Sequence, residues 1–144
     1  MEDEKKITNP LILIAEDEGA LSGVLQSKLA RHGFVVETAA DGVEALEKMR
    51  MTKPSLVLLD LIMPNKNGFQ VLEEAKADPE LKDIRIVIFS NLNQDEDRER
   101  VKKLGALDFL VKSDLGINEV VGKVNAFLGC PPACPVPPTE VVTP

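Results

Sequence analysis

The chain has 144 residues, of which 44% are hydrophobic and 28% are charged, a length and composition typical of one globular domain with its own core. Its 24 acidic and 17 basic residues give a net charge of −7, which would repel phosphate backbones, so direct binding to nucleic acid is not expected. The apolar runs are too short to cross a membrane, and no apolar segment of a secretory signal follows the charged N-terminus. We therefore predict a cytoplasmic protein whose partners are proteins or small cations.

Both ends of the chain are predicted to lie outside the folded domain. Residues 1–9 are charged, and residues 129–144 contain six of the ten prolines, which lack the backbone N–H and favour extended geometry. We expect a disordered N-terminal tail over residues 1–9, a domain over residues 10–128 and a flexible proline-rich tail over residues 129–144. Cys130 and Cys134 lie in that last tail with no histidine nearby, so they are predicted to be free thiols.

Short β-rich runs alternate with helical segments along the rest of the chain. Five strands are predicted: Leu11–Ala15, Phe34–Ala39, Leu56–Leu59, Ile84–Phe89 and Asp108–Val111. Several are apolar on both faces, as parallel strands covered by helices must be, whereas the second strand alternates and is predicted to lie at an edge of the sheet.

Apolar residues at helical spacing predict four helices that pack against this sheet. Their stripes consist of Leu21, Val24, Leu25 and Leu29; Val43, Leu46 and Met49; Phe69, Leu72 and Ala75; and Ile117, Val120, Val121, Val124 and Leu128. A fifth segment, Asn93–Leu104, is nearly all charged until Val101. A helix there is predicted to be shallowly seated and easily displaced.

The alternation of strands and helices predicts a doubly wound α/β fold, with a five-stranded parallel sheet and helices on both of its faces. Right-handed crossovers place the C-terminal ends of all strands at one edge, where such folds bind ligands. Polar residues come at four of those ends: Glu16 and Asp17, Asp60, Ser90 and Lys112. Each taken alone has an ordinary structural explanation, such as a helix-dipole partner or a turn residue. Their joint placement favours a site.

The three carboxylates predict a metal centre, because they would repel one another and raise a pKa unless a cation holds them ionised. All the expected ligands are oxygens, and the only histidine, His32, ends the first helix. A hard divalent ion is expected, and few protein oxygens leave room for waters and a phosphoryl group, so Mg²⁺ fits better than Ca²⁺, with Mn²⁺ as a substitute. Asp60 is then predicted to form an aspartyl phosphate, with Lys112 neutralising the transferred oxygens and Ser90 donating a hydrogen bond to them.

The order and spacing of seven residues resemble the receiver domain of bacterial response regulators over about residues 10 to 128: Glu16, Asp17, Asp60, Pro64, Gly68, Ser90 and Lys112. The resemblance implies a flavodoxin-like sheet of order 2-1-3-4-5 with five helices. It also implies that Asp17, Asp60 and the backbone carbonyl of Ile62 bind Mg²⁺, assisted by Glu16.

The resemblance further implies a signalling module rather than an enzyme, here expected to be a stand-alone receiver. Asp60 would receive its phosphoryl group from a histidine kinase, a histidine phosphotransfer protein or acetyl phosphate. Ser90 would move toward that group and Phe109 would turn inward behind it. The fourth helix, fifth strand and last helix would then change their contacts with a protein target or with a second copy of the chain.

Three positions depart from the common family pattern. Asn91 stands where a smaller residue is usual, which is expected to narrow access to the phosphoryl group. Ser113 stands where proline is common, which is expected to loosen the lysine loop. Ile62 is apolar where many relatives are polar, so hydrolytic water would be poorly oriented and the phosphorylated state would last longer.

Two other functions start from the same residues. A Mg²⁺-dependent phosphohydrolase could also use the Asp60 nucleophile, but the general acid expected two residues later is replaced by Ile62, so turnover would be very slow. A flavodoxin-like cofactor binder would need a phosphate-cradling loop after the first strand. That loop contains acids and one glycine, which is the wrong charge for a phosphate, so this alternative is discarded.

Overall fold

The computed structural model of the chain describes residues 10–92 and 94–128. The two predicted tails, with Cys130 and Cys134, lie outside these described residues. Strands and helices alternate in this order: β1 Leu11–Ala15, α1 Gly19–Arg31, β2 Val35–Ala39, α2 Gly42–Thr52, β3 Leu56–Leu59, α3 Gly68–Ala77, β4 Arg85–Ser90, α4 Asp95–Leu104, β5 Asp108–Val111 and α5 Ile117–Phe127. A single 3-10 turn, Lys112–Asp114, joins β5 to the last helix.

The strands form one parallel sheet in the order β2-β1-β3-β4-β5, which confirms the predicted fold. The register aligns the C-terminal ends of neighbouring strands, because Ala15 pairs with Leu59 and Ser90 pairs with Val111. The second strand lies at an edge as predicted, with Val35 48% exposed. The residues that follow Ala15, Leu59 and Val111 therefore meet at one end of the sheet.

The core has one apolar layer on each face of the sheet. Leu13, Val57 and Ile86 pack on the side of α2 and α3, and Leu56 and Leu58 pack on the side of α1 and α5. All four residues of β3 are buried, since both faces of this central strand are covered. The strand that ends at Asp60 is thus fully enclosed by the core.

The helix stripes are narrower than the sequence pattern predicts. Val24 is 53% exposed and Val43 is 43% exposed, so the prediction that these two side chains face the sheet is wrong. In α2 the buried residues are Gly42, Ala45, Leu46 and Met49, a complete i, i+3, i+4, i+7 stripe that leaves Val43 on the outer flank. In α1 the stripe through Ser22, Leu25 and Leu29 leaves Val24 outside in the same way.

Helix α4 is as shallowly seated as predicted, since Val101 is its one buried residue. Two strand boundaries differ from the predictions: β2 begins at Val35 and β4 covers Arg85–Ser90, so Ser90 is the last residue of its strand and does not follow it. In the described part of the chain, none of the helices combines the length and the apolar character needed to span a membrane.

Candidate functional site

The ends of β1 and β3 hold two acidic residues side by side. The backbone N–H of Glu16 donates to the carbonyl of Ala39 at 2.9 Å, and the N–H of Asp60 donates to the carbonyl of Ala15 at 3.0 Å. Both backbones therefore continue the hydrogen-bonding pattern of the sheet past the last strand residue. Glu16 is 3% exposed and Asp60 is 5% exposed, so each carboxylate is fixed and largely withdrawn from water.

Asp17 joins these two residues in a cluster of carboxylates. One oxygen of each of Glu16, Asp17 and Asp60 lies within 4.8 Å of the other two. Asp17 is exposed, so the cluster opens to solvent on its side. The predicted convergence of the three acids is present, and their all-oxygen donor set fits a hard divalent cation.

Lys112 reaches into this cluster from the end of β5. Its Nζ donates to Asp60 Oδ2 at 2.9 Å and forms an ion pair with Glu16 Oε1, and its side chain is only 10% exposed. Glu18 Oε1 lies farther away, at 3.9 Å from the same Nζ, and its side chain is exposed. The contact with Asp60 follows the prediction, whereas the ion pair with Glu16 was not anticipated.

The pKa values of Glu16 and Lys112 are both raised. Burial raises the pKa of Glu16, and with the nearby charge of Asp60 it outweighs the hydrogen bonds donated by Lys112 and by the backbone N–H of Glu18. Burial lowers the pKa of Lys112, but its hydrogen bonds and charge interactions with Asp60 and Glu16 prevail. One ammonium faces three carboxylates, so the cluster lacks positive charge, as a site for a divalent cation should.

The loop after Asp60 is held close to the start of α3. Asp60 Oδ1 accepts a hydrogen bond of 3.2 Å from the backbone N–H of Ile62, and the N–H of Gly68 donates to the carbonyl of Leu61 at 3.0 Å. A Cβ atom at Gly68 would come within 2.7 Å of Leu61 Cα and would also meet the Asp60 carbonyl. Only glycine permits this approach, which keeps the Asp60 backbone in place. The Ile62 side chain points outward and is 60% exposed.

Ser90 and Phe109 lie on the two neighbouring strands beyond β3. Ser90 is 1% exposed, and its Oγ accepts a 3.2 Å hydrogen bond from the backbone N–H of Leu92. Phe109 is half-buried, and the guanidinium of Arg98 on α4 lies 4.9 Å from its ring centroid. Ser90 therefore lies on the strand between β3 and β5, and Phe109 lies on β5 in contact with α4.

One contact at the site involves two of the positions that depart from the family pattern. Asn91 Oδ1 accepts a 2.8 Å hydrogen bond from the backbone N–H of Ser113. Sequence reasoning treated the two positions separately and did not predict this link. The pairing of Ser90 with Val111 in the sheet explains the link, because it brings the residues just after them together.

Comparisons with known proteins agree with this geometry. Residues 12–124 match the family described as the response regulator receiver domain. The chain is 35% identical over 121 residues to the probable transcriptional regulator ycf27 of Guillardia theta. The matched region covers 84% of this chain and 46% of that protein. It is 35% identical over 101 residues to Protein PilH of Pseudomonas aeruginosa, covering 70% of this chain and 84% of that protein.

A solved structure shares the fold and part of the sequence. The crystal structure of the phosphorylated cyanobacterial phytochrome response regulator RcpA has a TM-score of 0.76 and 30% sequence identity, covering 84% of this chain and 94% of its own. The chain spans about half the length of the first curated relatives that it matches, 46% and 44%.

Proposed function

Because this chain belongs to the response regulator receiver domain family, we propose that it is a phosphoacceptor switch in which Asp60 receives the phosphoryl group. One observation carries the proposal: the buried Asp60 carboxylate lies 2.9 Å from the Lys112 ammonium and within 4.8 Å of two further carboxylates. A nucleophile held at the end of a rigid strand, beside one cation and a site for another, is suited to phosphoryl transfer.

The proposed reaction is an in-line displacement at phosphorus. A carboxylate oxygen of Asp60 forms the new O–P bond, and the bond between phosphorus and a nitrogen of the donor histidine breaks, with its electron pair returning to the imidazole. Lys112 stays protonated and attracts the transferred oxygens. Bound Mg²⁺, held by Asp17, Asp60 and the backbone carbonyl of Ile62 and assisted by Glu16, would offset their remaining charge.

The response to phosphorylation is proposed to pass through β4 and β5. Ser90 would donate its hydroxyl hydrogen to a phosphoryl oxygen, and Phe109 would turn into the space behind it. Two features support this path: Ser90 ends the strand next to β3, and α4 buries only Val101. An element with so little buried area can shift at low energetic cost.

The partners are proposed from the same features. A histidine kinase or a histidine phosphotransfer protein would supply the phosphoryl group, with acetyl phosphate as a small donor. A groove between α4 and β5, lined in part by Arg98, Leu107 and Phe109, offers a surface for a protein target or a second copy of the chain. Residues 10–128 are proposed as the folded receiver unit. Ile62 supplies no general acid, so slow autodephosphorylation is expected rather than enzymatic turnover.

The test is to weigh the intact protein after incubation with acetyl phosphate and Mg²⁺. We expect a gain of about 80 Da, the mass of one phosphoryl group, which Asp60→Asn abolishes because an amide is not a nucleophile at neutral pH. Asp83→Asn, an exposed position near the opposite end of the sheet, is the matched control and should gain the same mass. No adduct, or an adduct that persists in Asp60→Asn, would contradict the proposal. Many turnovers without an adduct would favour the phosphohydrolase.

A further inference from the structure

The hydrogen bond between Asn91 and Ser113 joins the loop that follows Ser90 to the 3-10 turn that begins at Lys112. Asn91 follows Ser90 directly, and Ser113 follows Lys112 directly. The bond is 2.8 Å long and runs from the backbone N–H of Ser113 to the side-chain oxygen of Asn91. It lies just beyond the last sheet pair, between Ser90 and Val111, and so extends the connection between β4 and β5 by one further contact.

This contact fixes Lys112 from both sides along the backbone. On one side Val111 is paired in the sheet, and on the other side the N–H of Ser113 is held by Asn91. Lys112 Nζ must then reach Asp60 Oδ2 at 2.9 Å through a long and flexible side chain. Anchoring the backbone on both sides removes freedom that the side chain would otherwise have to lose when it binds the carboxylate.

The link depends on the residue types at both positions. Proline at position 113 would have no N–H to donate, and alanine at position 91 would have no acceptor. The chain has the donor and the acceptor together, so position 113 makes a contact with Asn91 that proline could not make.

We propose that Asn91 is a positioning residue, which accepts the N–H of Ser113 and thereby holds Lys112 in the conformation that Asp60 needs to receive a phosphoryl group. The proposal rests on the proposed function of Asp60. Asn91 and Ser113 are exposed, so water competes for both groups. We expect loss of the bond to slow phosphorylation by about three- to tenfold, as for one hydrogen bond of ordinary net strength.

Three substitutions separate hydrogen bonding from size. Asn91→Leu keeps the branched shape of the side chain but removes the acceptor, whereas Asn91→Ala removes both shape and acceptor. Ser113→Pro keeps Asn91 and removes the donor, with Ser113→Ala as its control because alanine retains the backbone N–H. The rate of acetyl phosphate labelling is measured for each variant alone and for Asn91→Leu combined with Ser113→Pro.

We expect Asn91→Leu and Asn91→Ala to be slowed alike, Ser113→Pro to be slower than Ser113→Ala, and the double variant to be no slower than either single variant. Asn91→Asp, which retains an acceptor oxygen, should keep the Ser113 amide protected from hydrogen exchange. Unchanged labelling in Asn91→Leu together with faster labelling in Asn91→Ala would show that Asn91 acts through its size, and would overturn the proposal. Additive effects in the double variant would also overturn it.

A second measurement does not depend on phosphorylation. In Mg²⁺-free protein, NMR relaxation of the Lys112 Cε–H groups reports directly how well the side chain is ordered. We expect lower order in Asn91→Leu than in the parent, and equal order would overturn the proposal. If the parent takes up no phosphoryl group at all, the function proposed for Asp60 fails, while this measurement still decides whether Asn91 positions Lys112.

Discussion

Lys112 is the residue on which the electrostatics of the site depend. Its ammonium pairs with Glu16 and Asp60, whose side chains are 1% and 6% exposed, and its own side chain is 10% exposed. Such a buried arrangement is favourable only while every charge has its partner. The same cation that would attract a phosphoryl group therefore also holds together the ends of β1, β3 and β5.

Replacement of Lys112 by methionine is expected to destabilise the protein in a pH-dependent way. At pH 7 in the presence of EDTA we expect a loss of about 3 kcal/mol in the free energy of unfolding, because two buried carboxylates lose their cation. The pKa of Lys112 is raised above its ordinary value of 10.5, so its stabilisation is complete below that pH and is lost as the pH rises through the raised value.

The measurement is urea unfolding of both proteins at about pH 7 and 9, which lie below the ordinary lysine pKa, and at about pH 11, which lies above it. The difference between wild type and Lys112→Met should be constant up to the ordinary pKa and smaller beyond it. Lys123→Met, at an exposed position of α5, controls for the loss of one positive charge. A difference as small as that of the control at pH 7 would contradict the role given to Lys112.

At the residue scale the sequence predicts which groups meet but not how they pair. Glu16, Asp17, Asp60 and Lys112 could be placed together because the C-terminal ends of parallel strands share one edge. Ion pairing of Lys112 with Glu16 depends on side-chain conformations that no periodic pattern encodes. The bond between Asn91 and Ser113 was missed for the same reason, since it depends on the conformation of the Asn91 side chain.

At the scale of secondary-structure elements, the start of α3 determines where Asp60 lies. Asn67 caps this helix in a reciprocal box, accepting from the N–H of Gln70 at 3.0 Å while Gln70 Oε1 accepts from the N–H of Asn67 at 2.9 Å. The next residue, Gly68, lets the capped helix approach the backbone of Asp60 and Leu61. The helix start and the site are thus packed as one unit.

Gly68→Ala is expected to destabilise the protein by about 2 kcal/mol, because the new Cβ would overlap backbone atoms that have no space to move into. It should also slow phosphorylation of Asp60, since relief of the overlap displaces that residue. The measurements are urea unfolding and acetyl phosphate labelling.

Gly23→Ala provides the matched control in α1. A Cβ there meets no atom within 4 Å, and alanine is the better helix former by about 0.5–1 kcal/mol. This variant should therefore be more stable than the parent. Equal stability of the two glycine variants would show that the close approach at Gly68 does not hold the structure together.

The exposed valines Val24 and Val43 show that helical spacing alone does not determine which side chains face the sheet. Val24 and Val43 lie close to the apolar stripes in sequence, but each stripe is completed by small residues, Ser22 in α1 and Gly42 with Ala45 in α2. Small residues leave room for close packing, at Gly42 against the backbone of Lys66, and the larger neighbour then lies on the outer flank of the helix. A count of large apolar residues cannot reveal this placement, which depends on packing against the sheet.

Helices α3 and α4 make a matched pair for a test of local stability. Each has 10 residues, but α3 buries five of them and α4 buries only Val101. Helix α4 also contacts aromatic rings through two exposed arginines. The guanidinium of Arg98 lies 4.9 Å from the Phe109 ring centroid, and that of Arg100 lies 4.0 Å from the Phe69 ring centroid. Such contacts are worth about 0.5–1 kcal/mol at exposed sites.

We therefore expect backbone amides of α4 to exchange with solvent deuterium at least about tenfold faster than those of α3 in the unphosphorylated protein. The measurement is native-state hydrogen exchange at conditions where the whole protein stays folded. Equal protection of the two helices would contradict the proposal that α4 is the easily displaced element of the response face.

At the scale of the whole molecule, the chain is acidic and part of its negative charge lies at the proposed site. The net charge is −7, and three of the carboxylates are held together at the end of the sheet with one ammonium between them. In the free protein this repulsion reduces stability. A divalent cation that binds only the folded state would turn the same cluster into a source of stability.

Magnesium is therefore expected to raise the free energy of unfolding of the whole protein, by about 2.7 kcal/mol at a concentration one hundred times the dissociation constant. The measurement is urea unfolding in MgCl₂ and in NaCl of the same ionic strength, which separates specific binding from screening. Asp17→Asn should leave the stability in NaCl nearly unchanged, because Asp17 is exposed, but should reduce the gain in MgCl₂. Asp83→Asn should show the full gain.

The pH dependence of the magnesium effect provides the sharpest form of this test. Because the pKa of Glu16 is raised above its ordinary value of 4.5, protons compete with Mg²⁺ at a higher pH than they would for an ordinary glutamate. The stabilisation by Mg²⁺ should be complete at neutral pH and be lost as the pH falls through that raised value. Glu16→Gln should show a smaller gain at neutral pH with a weaker pH dependence. A gain that is equal in Asp17→Asn, Glu16→Gln and wild type would mean that Mg²⁺ binds elsewhere, which would contradict the metal site proposed at the carboxylate cluster.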